Sequence, residues 1–166
     1  GITDLATWRA LGYSESDWYS LGAYASPIRT SIYSSRSDCI EAMIGRAYDY
    51  MGDDYMIGAS GAPGLGIDCS GLVMQALYAA GIDMSPINPV RHASPGYEYE
   101  SANIWTSSQL KHVSYSERQR GDIIIYCNSA GVVIHSAIYL GNNRVIEAWP
   151  NRVVVSSMIN NQHPRV

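Results

Sequence analysis

One apolar segment with a cysteine near its start, GIDCSGLVMQALYAAG (residues 66–81), most constrains how this chain folds. Apolar side chains surround nearly the whole of the helix that this segment predicts, so the helix belongs in the centre of the fold. Asp68 is suited to cap its beginning, and Gly81 is suited to the position just after its last turn. The sequence therefore predicts a buried central helix with Cys69 in its first turn.

The rest of the chain divides into helical and strand-forming parts. A helical stripe over residues 37–52, capped by Ser37 or Asp38, precedes a glycine-rich loop and the cysteine helix. Residues 82–120 are predicted to be a long polar connection. Helices followed by strands predict an α+β fold with an antiparallel sheet packed on the cysteine helix. The predicted strands are 121–127, 132–140, 144–149 and 152–157.

We expect two parts in the domain organisation. Residues 1–36 predict an N-terminal extension of two short helices and an extended connection, with one helix starting near Ser14 and Asp17. The extension is too short to have a core of its own. Residues 37–166 are then the main domain.

Composition excludes several classes of function. The net charge is −4 and Lys111 is the only lysine, so the basic surface of a nucleic-acid-binding protein is absent. No apolar run reaches the roughly 18 to 20 residues of a membrane span. The three cysteines form no CxxC pair, which argues against a structural zinc site. Core packing or one disulfide accounts for Cys39 and Cys127.

Cys69 has two interpretations. The first turn of a helix carries unpaired N–H groups and the positive end of the helix dipole, which both stabilise a thiolate. Gly71 would let other backbone approach this turn closely. The alternative is an inert cysteine buried in the core, which is common.

A thiolate nucleophile needs a base, and His135 is the best candidate because it interrupts an otherwise apolar strand. The alternative is a histidine satisfied within the core. The other histidines lie in predicted loops or the tail, where solvation is the ordinary state; they are His92, His112 and His163.

The hairpin after His135 predicts a partner for it. If Gly141, Asn142 and Asn143 form the loop, with Asn143 left-handed, Ala137 lies opposite Glu147. His135 and Glu147 then share one face of the sheet as diagonal neighbours, and the carboxylate can orient the imidazole. A two-residue loop would place them on opposite faces. Without that neighbour, Glu147 would be an exposed charge at a strand edge.

Three ordered motifs resemble the NlpC family of bacterial cell-wall cysteine peptidases, in the papain-like superfamily. The match covers about residues 38–155. The motifs are MGDDYMIGASGAPGLGIDCSGLV, RGDIIIY and HSAIYLGNNRVIEAW.

The resemblance implies roles for particular residues. Cys69 matches the nucleophile and His135 the base. Glu147 takes a third polar position that more usually holds His, Asn or Gln. Tyr55 matches a tyrosine that lines the site and helps to position the tetrahedral intermediate.

Further matches concern the substrate. Asp68 and Ser70 match neighbours that contact substrate in relatives. The family's Arg-Thr-Ser-like motif is altered here, and Arg91 is the candidate to bind a substrate carboxylate.

As a whole, the resemblance implies a papain-like catalytic domain over residues 37–166. It implies hydrolysis of an amide bond in peptidoglycan stem peptides, typically between D-γ-glutamate and the following diamino acid, without a metal or other cofactor. We expect a monomer, secreted or in the cell envelope. The alternatives are a papain-like amidase or acyl transferase, a Ser70 nucleophile, and a non-catalytic wall-binding module.

Overall fold

The computed structural model of the protein describes residues 5–12, 14, 24–84, 99–158 and 163–165. The α-helices in these ranges are α1 (Leu5–Ala10), α2 (Arg36–Asp49), α3 (Cys69–Ala79) and α4 (Ser101–Thr106), and Tyr115–Glu117 forms a 3-10 turn. The strands are β1 (Ile123–Cys127), β2 (Val133–Gly141), β3 (Arg144–Ala148), β4 (Val153–Ser157) and β5 (His163–Arg165).

The strands form one antiparallel sheet in the order β4-β3-β2-β1-β5. Side chains of α2 and α3 form the larger core cluster with one face of this sheet, including Ile125, Ile138 and Ile146. A smaller cluster with Ala137 and Tyr139 covers the other face. The predicted α+β fold, with the cysteine helix packed on an antiparallel sheet, is confirmed.

Helix α3 is buried along its whole length except at its first residue. Every α3 residue other than Cys69 is buried, as the all-round apolar sequence predicts. Asp68 is the N-cap. At the other end, the N–H of Ile82 donates to the Leu77 carbonyl and that of Gly81 to Tyr78, a Schellman motif with Gly81 at φ +79°. The central helix therefore presents only Cys69 to a partly open space.

Helix α2 begins slightly earlier than predicted. Its N-cap is Ser35 rather than Ser37 or Asp38, because Ser35 and Asp38 form a reciprocal capping box. Asp38, which looked like a cap, is the third residue of the helix, and its side chain completes the capping box.

The hairpin between β2 and β3 differs from its predicted loop but keeps the predicted register. The loop has two residues, Asn142 and Asn143, both left-handed, and Gly141 pairs with Arg144. A bulge at Leu140 adds one residue to β2, so Ile138 still pairs with Ile146. The bulge cancels the face reversal that a two-residue loop alone would cause.

The described part of the predicted connection, residues 82–84 and 99–120, contains two short elements that the sequence did not indicate. One is α4 and the other is the 3-10 turn; both are too short to carry an apolar stripe. The three-residue β5 was also missed, since it contains Pro164 and pairs only with β1.

Part of the predicted N-terminal extension is bonded to the cysteine helix through one buried side chain. The Gln75 amide, fully buried in α3, donates to the Tyr24 carbonyl and to Ser60 and accepts from the N–H and hydroxyl of Ser26. The N–H of Arg29 donates to the Ala79 carbonyl. Residues 24–30 therefore brace the helical side of the fold.

The remaining expectations for the extension are tested only in part. Helix α1 forms where a short helix was predicted. The helix predicted to start at Ser14–Asp17 lies outside the described residues, and the boundary at residue 36 stays a prediction. In the parts of the chain that the structure describes, no helix has the length and apolar character needed to cross a membrane.

Candidate active site

The position of Cys69 is set by a close contact between its helix and the glycine-rich loop. A Cβ on Gly71 would lie 2.4 Å from the Ala59 carbonyl oxygen, so only glycine allows the loop to rest on this turn. Asp68 holds both sides together: its carboxylate accepts from the N–H of Gly71 at 2.7 Å and from the N–H of Gly58 at 2.8 Å. The loop and the helix start thus form one rigid unit around the thiol.

His135 lies on β2 just after a second irregularity. His135 pairs with Tyr126, and Val133 pairs with Cys127, which leaves Ile134 as an extra residue in the strand. Such bulges rotate the strand and change the direction of neighbouring side chains. The His135 ring stacks on Tyr126, with ring centres 5.5 Å apart. The imidazole is therefore held by packing as well as by hydrogen bonds.

A line of three side chains crosses three neighbouring strands. His135 Nε2 donates to Glu147 Oε2 at 2.7 Å, and the Ser156 hydroxyl donates to Glu147 Oε1. His135 is 4 % exposed and Glu147 is 2 % exposed, so this carboxylate is shielded from water. Both of its oxygens have donors, as a buried carboxylate requires. Glu147 is thus placed to fix which ring nitrogen of His135 carries a proton toward it.

Cys69 and His135 change each other's pKa. Burial alone raises the pKa of the Cys69 thiol, but the neighbouring His135 with its positive charge, and a hydrogen bond from Ser101, bring it below its usual value. Burial likewise lowers the pKa of His135, but Cys69 and Glu147 together raise it above its usual value. These opposite shifts favour a thiolate–imidazolium pair.

The geometry indicates which ring nitrogen serves Cys69. Nε2 is used by Glu147, and Nδ1 has no hydrogen-bond partner of ordinary geometry in the described part of the protein. Nδ1 is therefore the nitrogen left to exchange a proton with the thiol.

One serine hydroxyl lies close to the sulfur, and a second is hydrogen-bonded to the first. Ser101 Oγ, at the start of α4, is 3.6 Å from Cys69 Sγ and 2.9 Å from Ser136 Oγ. Ser101 is 7 % exposed and Ser136 is fully buried. The sulfur thus has polar neighbours on both α4 and the sheet.

Two aromatic rings border the cysteine and histidine. The Trp149 ring lies 5.7 Å from the rings of both Tyr55 and His135. The N–H of Tyr55 donates to the Asn151 carbonyl, which fixes Tyr55 to the turn after β3. Burial, with the charges of Cys69 and Asp68, raises the pKa of Tyr55 to about 12. Its hydroxyl therefore stays a hydrogen-bond donor at neutral pH.

The structure thus brings four of the predicted residues together: Cys69, His135, Glu147 and Tyr55. Asp68 and Ser70 are adjacent but turned inward: the Ser70 hydroxyl, 3 % exposed, donates to Asp68 at 2.9 Å. Their side chains hold the helix start in place. Arg91 lies outside the described residues.

Sequence reasoning missed four neighbours of this site. Trp149 follows Glu147 by two residues, so strand alternation was a usable signal. Ser156 follows only from the β3–β4 register, and Ser136 only as a neighbour of His135. Ser101 had no sequence signal, because the connection that carries it has no pattern.

The other two cysteines lie apart from these groups. Cys39 lines an apolar cavity of about 330 Å³ between α2, α3, α4 and the sheet, and none of the site residues borders it. Cys127 is fully buried in the core, and all three cysteines are free thiols. Within the described ranges, no group of three His, Cys, Asp or Glu residues is arranged to hold a metal ion.

This arrangement is suited to nucleophilic chemistry at sulfur. Asp68 accepts from the N–H groups of Gly71 and Leu72, so the N–H groups of Cys69 and Ser70 have no partner among the described residues and are the donors left at the start of α3. A thiol of lowered pKa, an adjacent acid–base group and free N–H donors are the parts needed for acyl transfer.

The sequence profile of the NlpC/P60 family matches residues 45–165. The chain belongs to the NlpC/P60 family. The family expected from the three motifs is confirmed.

Individual relatives agree with this membership. The chain is 32 % identical over 120 residues to the peptidoglycan endopeptidase RipB of Mycobacterium tuberculosis, covering 66 % of this chain and 43 % of that protein. It therefore spans less than half the length of this curated relative. Among solved structures, RipB from Mycobacterium tuberculosis matches with a TM-score of 0.59 at 24 % identity, covering 98 % of this chain and 84 % of that one.

A second structural neighbour has no catalytic activity. RipD from Mycobacterium tuberculosis, described as a non-catalytic NlpC/P60 domain protein adapted to peptidoglycan binding, matches with a TM-score of 0.55 at 21 % identity. It covers 80 % of this chain and 96 % of its own. At this identity the likeness shows the shared fold alone.

Proposed function

We propose that this chain is a cysteine peptidase that hydrolyses an amide bond in peptidoglycan stem peptides. The observation that carries the proposal is the buried contact of His135 with Glu147 beside a Cys69 thiol of lowered pKa. The family membership and a relative named as a peptidoglycan endopeptidase support the substrate class. We place the protein in the cell envelope or outside the cell on the same grounds.

The proposed reaction has two steps. The Cys69 thiolate attacks the amide carbonyl carbon, and the N–H of Cys69 with the Tyr55 hydroxyl stabilises the charge on the carbonyl oxygen. His135 gives its Nδ1 proton to the leaving amine, which breaks the C–N bond and leaves a thioester on Cys69. His135 then takes a proton from water as the water attacks the thioester, releasing the acid and restoring the thiolate.

Glu147 is proposed to keep the imidazole oriented and charged during this cycle. Asp68 and Ser70 are proposed to position the helix start rather than to contact substrate through their side chains. Arg91 stays our candidate to bind a substrate carboxylate.

We further propose that the bond cleaved joins D-γ-glutamate to a diamino acid. Mass spectrometry of L-Ala-γ-D-Glu-diamino acid peptides, with and without a terminal D-Ala, tests both levels of the proposal. Wild-type protein is expected to cleave after D-Glu, and the Cys69→Ala variant to leave the peptide intact. Cys39→Ser is the matched control and should cleave like wild type.

Other outcomes of this experiment separate the alternatives. Cleavage at another amide would support the proposed peptidase activity but contradict the proposed bond. New amide products formed with an added amine would indicate an acyl transferase. Binding of stem peptide without cleavage, as expected for a wall-binding module, would overturn the proposal.

A further inference from the structure

The two serine hydroxyls beside Cys69 form a closed hydrogen-bonded pair. Ser101 Oγ lies 3.6 Å from Cys69 Sγ, where either atom can be the donor, and in the structure its hydroxyl donates to Ser136 Oγ at 2.9 Å, the direction that suits a Cys69 thiol. Ser101 and Ser136 are both buried, so water does not satisfy these hydroxyls. Buried polar groups in this situation must find their partners among each other.

The two hydrogen bonds that link the sulfur and the two hydroxyls can point in either of two directions along the row. When Cys69 is a thiol, its S–H donates to Ser101, and Ser101 donates to Ser136. When Cys69 is a thiolate, Ser136 donates to Ser101, and Ser101 donates to the sulfur. A hydroxyl can do either because it is both donor and acceptor and its proton rotates.

We propose that Ser101 and Ser136 form a reversible hydroxyl pair that stabilises the Cys69 thiolate. The inference rests on the proposed role of Cys69 as nucleophile. The proton that leaves the sulfur goes to His135 Nδ1, while each serine keeps its own proton and only turns it. No bond between heavy atoms forms or breaks in this step.

The other groups facing Cys69 explain what a neutral pair adds. His135 on β2 favours the thiolate, Asp68 at the cap of α3 opposes it, and the Tyr55 hydroxyl lies nearby. Ser101 favours the thiolate without bringing a charge. Since an aliphatic hydroxyl keeps its proton at physiological pH, His135 remains the acid–base group. The second hydroxyl strengthens the first, because donors in a row polarise one another.

The test measures the thiolate without any substrate. Iodoacetamide alkylation of Cys69 is followed by peptide-level mass spectrometry as a function of pH, so that Cys39 and Cys127 do not contribute. We expect Ser101→Ala to lower the Cys69 alkylation rate about two- to tenfold at neutral pH and to move the profile to higher pH. Ser136→Ala should change the alkylation rate and the pH profile in the same directions, but by smaller amounts.

The double variant tests whether the two serines act in series. Ser136 is proposed to act only through Ser101. Cys69 in the double variant should therefore be alkylated no more slowly than Cys69 in Ser101→Ala. Ser101→Thr, which keeps the hydroxyl, should restore the wild-type profile. Ser108→Ala, an exposed serine just after α4, is the matched control and should match wild type.

Several results would overturn the pair. One is a wild-type alkylation profile in Ser101→Ala. Another is a further fall of the Cys69 alkylation rate in the double variant, relative to Ser101→Ala, that is as large as the fall in Ser136→Ala alone. If Ser101→Ala does not fold, a wild-type profile in folded Ser136→Ala would overturn it. Failure of the proposed function looks different: the serine variants would shift the profile while wild type left stem peptides intact.

Discussion

Two sets of side chains meet at the Cys69 sulfur, and they differ in charge and in how the fold places them. His135, Glu147 and Ser156 cross three adjacent strands and include a charged pair. Ser101 and Ser136 are neutral, and Ser101 arrives on a short helix after a long connection. The charged set can accept and transfer a proton, whereas the neutral set can only donate and accept hydrogen bonds. Only the charged set can therefore transfer a proton, although both sets have a member that favours the Cys69 thiolate.

The strongest test of this difference is removal of the imidazole. His135→Ala should lower stem-peptide turnover by about 10²- to 10⁴-fold, because the leaving amine loses its proton donor and Cys69 loses its counter-charge. Turnover by Ser101→Ala should fall far less. Equal losses of turnover in His135→Ala and Ser101→Ala would contradict a difference in function between the two sets.

The next test removes the charge of Glu147 but keeps its shape. Glu147→Gln still accepts from Nε2, yet it no longer favours the imidazolium, so the pKa of His135 falls. Activity needs protonated His135 and ionised Cys69. The alkaline limb of kcat/KM, which reports loss of the His135 proton, should therefore move to lower pH. The acid limb, which reports ionisation of Cys69 beside an imidazolium that is still charged there, should move much less, so the profile narrows from its alkaline side.

At the optimum of this narrower profile, kcat/KM should fall about tenfold, the equivalent of one pKa unit. Glu117→Gln, at an exposed acidic residue in the 3-10 turn, is the control. Unchanged limbs in Glu147→Gln would show that Glu147 does not act through His135.

A smaller effect is expected one strand further away. Ser156→Ala leaves Glu147 Oε1 without its donor and should reduce kcat/KM about two- to tenfold while narrowing the pH profile slightly. Ser156→Thr should restore activity, and the neighbouring exposed Ser157→Ala should resemble wild type. A loss in Ser157→Ala as large as in Ser156→Ala would point to the strand rather than to the hydroxyl.

The smallest effect is expected outside both sets. Cys39 borders an apolar cavity remote from the sulfur of Cys69, so Cys39→Ser should keep turnover near wild type. Peptide cleavage and thermal melting of the variant check this together. A collapse of turnover in a well-folded Cys39→Ser protein would contradict the separation of the two thiols.

The charged set was largely predictable from sequence, and the neutral set was not. Cys69 follows from the capped apolar helix, and His135 from an interrupted strand. The shared face of His135 and Glu147 followed from hairpin register, although the loop length was wrong. The bulge at Leu140 compensated for that error, and such bulges carry no simple signal in a single sequence.

Ser101 shows what sequence pattern does not determine. It lies 32 residues after Cys69, beyond a connection without periodicity, and only tertiary packing brings it to the sulfur. Ser156 is intermediate, since its partner follows from pairing β4 with β3. Strand-pairing rules predict which side chains are neighbours on adjacent strands, but they do not predict where a residue lies after a long loop.

The five hydrogen bonds of Gln75 have a consequence for where this fold can be shortened. A fragment cut at the predicted boundary, beginning at residue 37, would remove Ser26 and leave the Gln75 carbonyl oxygen buried without a donor. An orphaned group of this kind costs about 1–3 kcal/mol of folding free energy. Because Gln75 lies in the helix that begins with Cys69, a fragment that carries the nucleophile and keeps all five of these hydrogen bonds starts no later than Tyr24.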